Sequence, residues 1–508
     1  MTSLWKTAAP TAAGTPVEPG SSHDVVIVGA GITGLATALE LVRSGMDVAV
    51  VERGGLGELA SGSNAGMVSL LQGTTLSSLR RHHPASLVRA YVEANRDGLD
   101  WITAAADDLG VATTTRTAVT HARGREGVAA VTDEYRAARE AGLAVRLAGA
   151  DELTAGPVRM TAAVVLDDQR ALDPSSLMTA LARAFVAAGG RLHLGAAVHR
   201  VRVVPRPRLD TDAGPIFAGN IVLATGTPIT DRGLYFAKVA ARRSAAVSFE
   251  LEGDVPDGMY LSADRPRLSV RTVTADEAGG AGAGAMPQLI VGGAEHPVGR
   301  VPSERALTDA LVAWARETLP VGAETHRWSG QDYTSHNLVP FVGSMPRALG
   351  RVRFATGYGG WGLTNGPAAA LRIASELRGE KMRERRRWMT VIGTRLTVPA
   401  DLARGAVENA ATVVEAVRGW TDAAQQPAPV ARPAEGQGVV ALRHGRPVGV
   451  STVDGRTRAV DAICPHLGGV LAWNDLERTW DCPVHASRYT PEGAPIEGPG
   501  TRGLRRLG

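Results

Sequence analysis

The chain has 508 residues, 44% of them hydrophobic and 21% charged, enough to bury a large core and to fold as two or three domains. Its 55 Lys+Arg against 51 Asp+Glu leave a net charge of +4, too small at this length to point to nucleic acid, and no aromatic and basic residues interleave as a stacking platform would. No stretch approaches the roughly 20 consecutive apolar residues of a membrane-spanning helix, residues 1–24 lack the apolar block of a secretory signal, and two cysteines exclude a disulfide scaffold, so a soluble, cytoplasmic protein without a membrane span is expected.

Residues 1–23 mix Ala, Thr, Pro, Gly and Ser without periodicity and read as a disordered, loosely held arm. From Asp24 the pattern turns to strand (DVVIVG), amphipathic helix (ITGLATALELVRSG) and strand (DVAVVE), the βαβ unit that opens a parallel sheet. A dinucleotide fingerprint sits at its first turn: Gly29, Gly31 and Gly34 in G-x-G-x-x-G, with Ala30, Ile32 and Thr33 between them. Gly29 allows the turn, Gly31 lets backbone approach a pyrophosphate, Gly34 lets helix and strand close up, and the helix N-terminus offers N–H groups to the phosphates. Glu52 ends the second strand, where it would accept from ribose hydroxyls, and Arg53 follows it. The fingerprint alone leaves FAD and NAD both open.

Three later segments favour FAD. The small-residue stretch ASGSNAGMVS at residues 60–69, with Asn64, Ala65 and Gly66, suits a flat ring lying against it. A second strand–ATG turn brings Thr225 and Gly226. The stretch ATGYGGWGLTNG at residues 355–366 places Gly357, Gly362, Leu363 and Thr364 before a helix whose N-terminus could stabilise negative charge at the pyrimidine edge of a reduced isoalloxazine. Amphipathic helix is expected at residues 177–188, paired strands at RLHLGAAVHRVRVV, and a buried strand at NIVLATG.

The expected architecture is therefore an α/β, Rossmann-like FAD domain over residues 24–380. It carries an antiparallel β substrate subdomain, roughly 76–160 and 231–325, broken by a Gly/Ala-rich loop at 275–285. A helical connector and Pro/Ala/Gln-rich linker (381–435) then leads to a small all-β domain (436–508). Within that last domain Cys464, His466, Cys482 and His485 form C-x-H-x15-C-x-x-H. Two thiolates and two imidazoles can bind a tetrahedral zinc, or a [2Fe–2S] centre with both cysteines on one iron and both histidines on the other. Spacing alone leaves both open.

On these motifs residues 24–377 resemble the D-amino-acid oxidase superfamily of FAD-dependent oxidoreductases, which includes glycine and sarcosine oxidases. LDDQRALDPSSLMTALARAFVAAGGRL, ATGTP and the later ATGxGGxG match its pattern in order. The resemblance implies oxidation of a C–H bond beside an amine, hydride transfer to flavin, and backbone contact to adenine at Val198. Some relatives attach FAD covalently through Cys or His; with no Cys in this region and no His between Glu52 and Arg81, non-covalent FAD is expected. The C-terminal segment, with Leu467-Gly468, Ala486-Ser487-Arg488-Tyr489 and EGPG at residues 497–500, resembles a Rieske domain. That likeness implies the [2Fe–2S] cluster rather than zinc, Ser487 bonded to a bridging sulfide and Tyr489 to a cysteine sulfur. The disulfide that pins the two ligand loops in respiratory relatives is missing, since Gly469 and Val484 stand at its positions. A potential in the middle of the roughly −150 to +300 mV Rieske range is the consequence.

The two modules in this order resemble a bacterial family of FAD-dependent oxidoreductases with a C-terminal Rieske domain. The expected partners are an amine or amino-acid substrate and an external electron acceptor such as a small redox protein. The alternatives are reverse flow from cluster to flavin for oxygen chemistry, or a redox sensor without small-molecule turnover. No catalytic residue stands out. Tyr260, Arg271, His296 and Trp361 lie in segments able to face the isoalloxazine, Arg271 with a fork suited to a carboxylate, yet each reads more readily as structural than as functional; the basic run at residues 383–387 reads as a solvated face or a dock for an acidic partner.

Overall fold

The computed structural model describes residues 2–6, 14–152, 158–274, 277, 287–393, 399–426 and 432–507. Its first layer is an eight-stranded sheet whose path runs Phe341–Ser344, Val352–Thr356, Gly214–Leu223, Ser22–Val28, Val48–Val51, Arg191–His193, with Arg208–Thr211 and Val198–Arg202 hanging from the Gly214–Leu223 strand. Val25, Val26 and Ile27 are fully buried, as a continuous apolar run at the centre of a parallel sheet requires. Val28 pairs in parallel register with Leu223 on one side and Val51 on the other. Three loops carrying Gly29, Glu52 and Thr225 therefore leave the sheet at one edge, the carboxyl ends of the strands, where open α/β sheets bind ligands. The helices Ile32–Val42, Pro174–Ala187 and Gly362–Leu377 pack here through Leu35, Leu39, Leu181, Phe185 and Ile373. Asp173 caps the second of them by accepting from Ser175 N at 2.7 Å, ahead of Pro174 in the first turn.

The second layer is a nine-stranded sheet, antiparallel except where Gly258–Ser262 runs parallel to Thr113–Ala122. It reaches further than residues 76–160 and 231–325. The strand Ala162–Leu172 pairs along Thr113–Ala122, and Val321–Ser335 runs the length of Val239–Leu251. The loop expected at 275–285 lies outside the described residues, apart from Glu277.

The amino-terminal segment is not wholly a loose arm. Leu4–Lys6 forms a 3-10 turn with Trp5 only 1% exposed. The Trp5 indole donates to Asn64 O at 2.7 Å, Ser3 donates to Gly62 O at 2.9 Å, and Arg271 lies over the indole ring. Two buried apolar side chains and these hydrogen bonds outweigh the low periodicity that favoured disorder; residues 7–13 lie outside the described set. The connector holds helices Arg387–Val391 and Pro399–Gln425, so the second runs into the stretch expected as linker, whose residues 427–431 are not described. The C-terminal module has a three-stranded sheet (Gly438–Arg443, Arg446–Val453, Arg456–Asp461) and a four-stranded one (Ala472–Asn474, Thr479–Asp481, Arg488–Tyr489, Pro495–Glu497) around buried Trp480 and Tyr489. Among the described residues no helix is long and apolar enough to cross a membrane.

Candidate flavin cavity and cluster site

The loops at the sheet edge enclose a cavity of about 450 Å³. Gly29 (φ +107°) brings its backbone against Ala224 O, and Gly34 brings the helix against Gly29 O; a Cβ at either would collide with a carbonyl. Glu52 lines the cavity and ties the turn together, accepting from Ala30 N at 2.8 Å and Gly54 N at 2.9 Å, with lone pairs left for a ribose. At the helix N-terminus the Ser61 hydroxyl accepts from Ile32 N at 3.0 Å, so Ser61 joins the phosphate end of the cavity, which the glycine spacing did not reveal. All expected flavin residues border the cavity except Ala30, Gly34, Gly66, Gly357 and Thr364. Gly34 and Gly357 serve close packing, Gly357 against Ser335. Thr364 donates instead to Asn95 Oδ1 at 2.6 Å in a buried polar network.

Asn64 shapes its own loop: it accepts from Gly66 N at 2.7 Å and donates to Ser61 O at 2.6 Å. Arg271 does not face a substrate. It is 1% exposed, pairs with Glu277 at 3.0 Å and donates to Ala65 O, so its fork is spent pinning the loop that a flavin ring would lie against. Tyr260 donates into Pro256 O and His296 pairs with Glu304; of the four aromatic and cationic candidates only Trp361 lines the cavity. Residues not anticipated complete the wall: Gln331, Asp332 and Tyr333 from Val321–Ser335, Tyr358, and Ile496, Glu497 and Gly498 of the C-terminal module. Asp332 accepts from Gly360 N, and its carboxyl is raised above the usual range by burial first, with Glu295 adding to it.

In the C-terminal module the four expected ligands form two pairs. Cys464 and Cys482 are buried thiols in mutual contact: the Cys464 thiol is pulled down to about 6, chiefly by a hydrogen bond with Cys482 and further by Tyr489, while Cys482 is pushed up by the same bond and by burial. The imidazoles of His466 and His485 stand 5.2 Å apart, centroid to centroid. Among the described residues no three His, Cys, Asp or Glu side chains converge on one ion position. Thiol paired with thiol and imidazole with imidazole suits a centre that takes two sulfurs on one iron and two nitrogens on the other. His485 Nδ1 is buried without a hydrogen-bond partner, and burial, then His466 and Arg300, depress its pKa to about 4, the neutral state a metal ligand needs. Tyr489 Oη lies 3.4 Å from Cys464 Sγ, and the fully buried Ser487 hydroxyl accepts from Gly500 N at 3.0 Å. Where the resemblance implied a missing disulfide, Gly469 and Val484 do face each other: a Cβ on Gly469 would meet Val484 Cγ2 at 2.5 Å. A valine side chain seated on bare backbone joins the two loops instead.

The imidazole pair is capped by the larger module. Phe236 sets its ring edge-on to His466 (4.9 Å) and His485 (4.7 Å), and Asp231 meets His466 Nε2 at 3.0 Å. Arg300 donates to Pro483 O at 2.8 Å.

With this geometry in hand, comparison with known proteins is decisive for family. The model of FAD dependent oxidoreductases matches residues 24–376, and that of the Rieske [2Fe-2S] domain matches residues 423–507. The chain belongs to the FAD dependent oxidoreductase family. This oxidoreductase binds FAD in its larger domain and a [2Fe-2S] cluster in its C-terminal Rieske domain. It is 26% identical, over 99% of its length and 97% of the relative's, to the Rieske 2Fe-2S iron-sulfur protein YhfW of Bacillus subtilis (strain 168). In fold it is similar to glycine oxidase from Geobacillus kaustophilus (TM-score 0.60, 20% identity, 72% of this chain and 97% of that one). It is likewise similar to L-amino acid deaminase from Proteus myxofaciens (TM-score 0.58, 17% identity, 74% and 94%).

Proposed function

We propose that the enzyme oxidises a C–H bond next to an amine and delivers the electrons through the Rieske cluster to an external acceptor, as a dehydrogenase. The observation that carries this reading is the shared cavity: its walls run from the fingerprint glycines through Trp361 to Ile496, Glu497 and Gly498 of the Rieske domain. A flavin enzyme that used oxygen alone would have no need of a cluster domain built into the flavin wall. When bound, FAD supplies a two-electron acceptor for hydride and the cluster a one-electron relay.

The protein's own contribution is binding and orientation. Glu52 and Val198 hold the adenosine end, Ser61 and the Ile32 turn the phosphates, and Asn64 and Ala65 the ring, with the loop kept rigid by Arg271 and Trp5. Asp332 and Glu295 put acidic groups on the cavity wall, which favours a substrate bearing an ammonium group; the one arginine there besides Arg53 is the exposed Arg267, which donates to Thr74 Oγ1 at 3.4 Å. The fold likeness to glycine oxidase and L-amino acid deaminase supports the same class of C–N substrate.

The test is anaerobic titration of the purified enzyme with a panel of amines and amino acids, following flavin absorbance together with the electron paramagnetic resonance of the cluster. The expected result is bleaching of the flavin by at least one amine with a matching rise of the reduced-cluster signal. A panel that leaves the flavin oxidised, in protein whose flavin is readily reduced by dithionite, would favour the redox-sensor alternative. Flavin reduced only through a chemically reduced cluster would favour the reverse direction of flow.

A further inference from the structure

Between the flavin cavity and the cluster loop stands one side chain that belongs to both. Gln331 is 2% exposed and lines the cavity, yet its Nε2 donates to Ala486 O at 3.0 Å, across the domain boundary, and to Tyr333 Oη at 2.8 Å. Ala486 directly follows the ligand His485, and its own N–H bonds back to the carbonyl of the ligand Cys482 at 2.9 Å. The carbonyl that receives Gln331 is held in an unusual position: Ala486 is 3% exposed with φ +59°, left-handed backbone that non-glycine residues rarely adopt. Gly498 packs so closely under Ala486 O and Ser487 that any side chain there would collide. Gln331 Oε1 has no hydrogen-bond partner, an exception among buried amides that leaves an acceptor free on a cavity-lining residue. Tyr333 seals the arrangement, its ring 3.3 Å from where a Cβ on Gly226 would stand, in the turn that borders the flavin.

We propose that Gln331 is the bridge by which electrons cross between flavin and cluster, with the Rieske domain permanently docked rather than swinging. This rests on the reading that the two centres exchange electrons, not on the identity of the substrate. Each crossing takes one electron from two-electron-reduced flavin and turns one ferric iron of the cluster ferrous. A one-electron acceptor, ferricyanide in the test, must reoxidise the cluster before the second electron follows, and the flavin's protons leave to solvent. The fixed dock has independent support in Arg300 on Pro483 O, Phe236 on both imidazoles and Ser303 on Asp475 Oδ2 at 2.5 Å.

The experiment is flash photoreduction of the flavin in the anaerobic holoenzyme with EDTA as the sacrificial electron donor, so that no substrate is needed and an inert amine panel leaves the test intact. In the unmodified enzyme the cluster should become reduced at a rate independent of protein concentration and of added viscogen. Gln331→Met keeps length and loses the amide; Gln331→Asn keeps the amide and falls a methylene short of Ala486. Both should slow the cluster's reduction several-fold while the separately titrated midpoint potentials of flavin and cluster stay put, and both should raise amide hydrogen exchange at residues 485–488. If Gln331→Met fails to load either cofactor, Gln331→Asn decides. Unchanged rates in the loaded variants overturn the bridge, and a viscosity-dependent rate in the unmodified enzyme overturns the fixed dock.

Discussion

Tyr489 is placed where a single hydroxyl can tune the cluster. Its oxygen lies 3.4 Å from Cys464 Sγ in a buried setting, where a donor stabilises the extra negative charge of the reduced cluster. A hydrogen bond of about 1 kcal/mol corresponds to ~40 mV in a one-electron couple, so Tyr489→Phe should lower the cluster midpoint by about that much without loss of iron, as read by a potentiometric titration monitored by electron paramagnetic resonance. The flavin offers a second test at this scale. The protein's only thiols are Cys464 and Cys482, both in the Rieske domain, and none of the described residues lining the flavin cavity is a histidine. Acid precipitation should therefore release the flavin into the supernatant, and yellow pellets would refute non-covalent binding. What could be read from the sequence at this scale were residues whose spacing is local: Gly29, Gly31, Gly34 and Glu52 fall within one βαβ unit, and each ligand pair within four residues. Gln331, Phe236 and Asp231 were not legible, because each acts on a partner more than 150 positions away and nothing in its own neighbourhood marks it. Arg271 reads from its sequence setting more readily as structural than as functional, and the structure gives it a structural partner. Its chemistry suits a carboxylate, and the carboxylate it found was the protein's own Glu277.

Elements show the same division. The parallel-sheet strands and the helices that cover them announce themselves by apolar runs and 3.6-residue periodicity. The amino-terminal turn Leu4–Lys6 does not, because three residues carry no period and its stability is entirely tertiary. Trp5 packs on the residue 60–69 loop and under Arg271, so Trp5→Ala should cost roughly 3–5 kcal/mol, the usual range for a large buried aromatic, and weaken FAD retention, both measurable by thermal unfolding followed through flavin fluorescence. A second element-scale test concerns pH. Glu134, from the helix Arg125–Glu140, reaches the first turn of Thr75–His82 and accepts from Leu76 N at 3.1 Å and Ser77 N at 2.7 Å. Burial outweighs these bonds and lifts its carboxyl to about 7 from an ordinary 4.5. The folded state then holds a proton that the unfolded state releases, so this group's contribution to stability falls as pH rises from about 4.5 to 7 and is constant outside that window. Glu134→Gln should flatten that part of the stability–pH profile, as followed by denaturant midpoints; an unchanged slope would place the proton elsewhere.

At the scale of the whole molecule, the question is what holds two separately recognisable domains as one redox unit. The boundary is not a thin linker but a buried network of charge. Arg243, 1% exposed on the strand Val239–Leu251, meets Glu304 at 3.3 Å within its own domain and reaches Glu477 and Asp481 of the Rieske domain at 4.0 Å each. Asp481 is in turn paired with Arg488 at 3.3 Å, and Arg488 with Glu497, which lines the flavin cavity. Such charges contribute little net stability when complete, yet removing one member strands the rest in low dielectric at a cost of about 3–5 kcal/mol. Arg243→Met should accordingly remove the charge that joins Glu304 to Glu477 and Asp481 across the boundary, leaving each acid with a weaker set of partners, and loosen the dock, although Arg243 itself neither lines the flavin cavity nor belongs to the cluster ligands. In calorimetry a docked enzyme unfolds its two modules together; the variant should unfold the Rieske domain separately and earlier, with iron and flavin contents unchanged at low temperature. On the proposed route from flavin to cluster the dock also sets the distance to be crossed, so the same variant should make that transfer sensitive to viscosity, which distinguishes lost docking from the slower but viscosity-independent transfer expected when Gln331 alone is changed. A single cooperative transition in Arg243→Met, at the unmodified enzyme's midpoint, would mean that the network is incidental and that the apolar contacts around Phe236 suffice to hold the two halves in register.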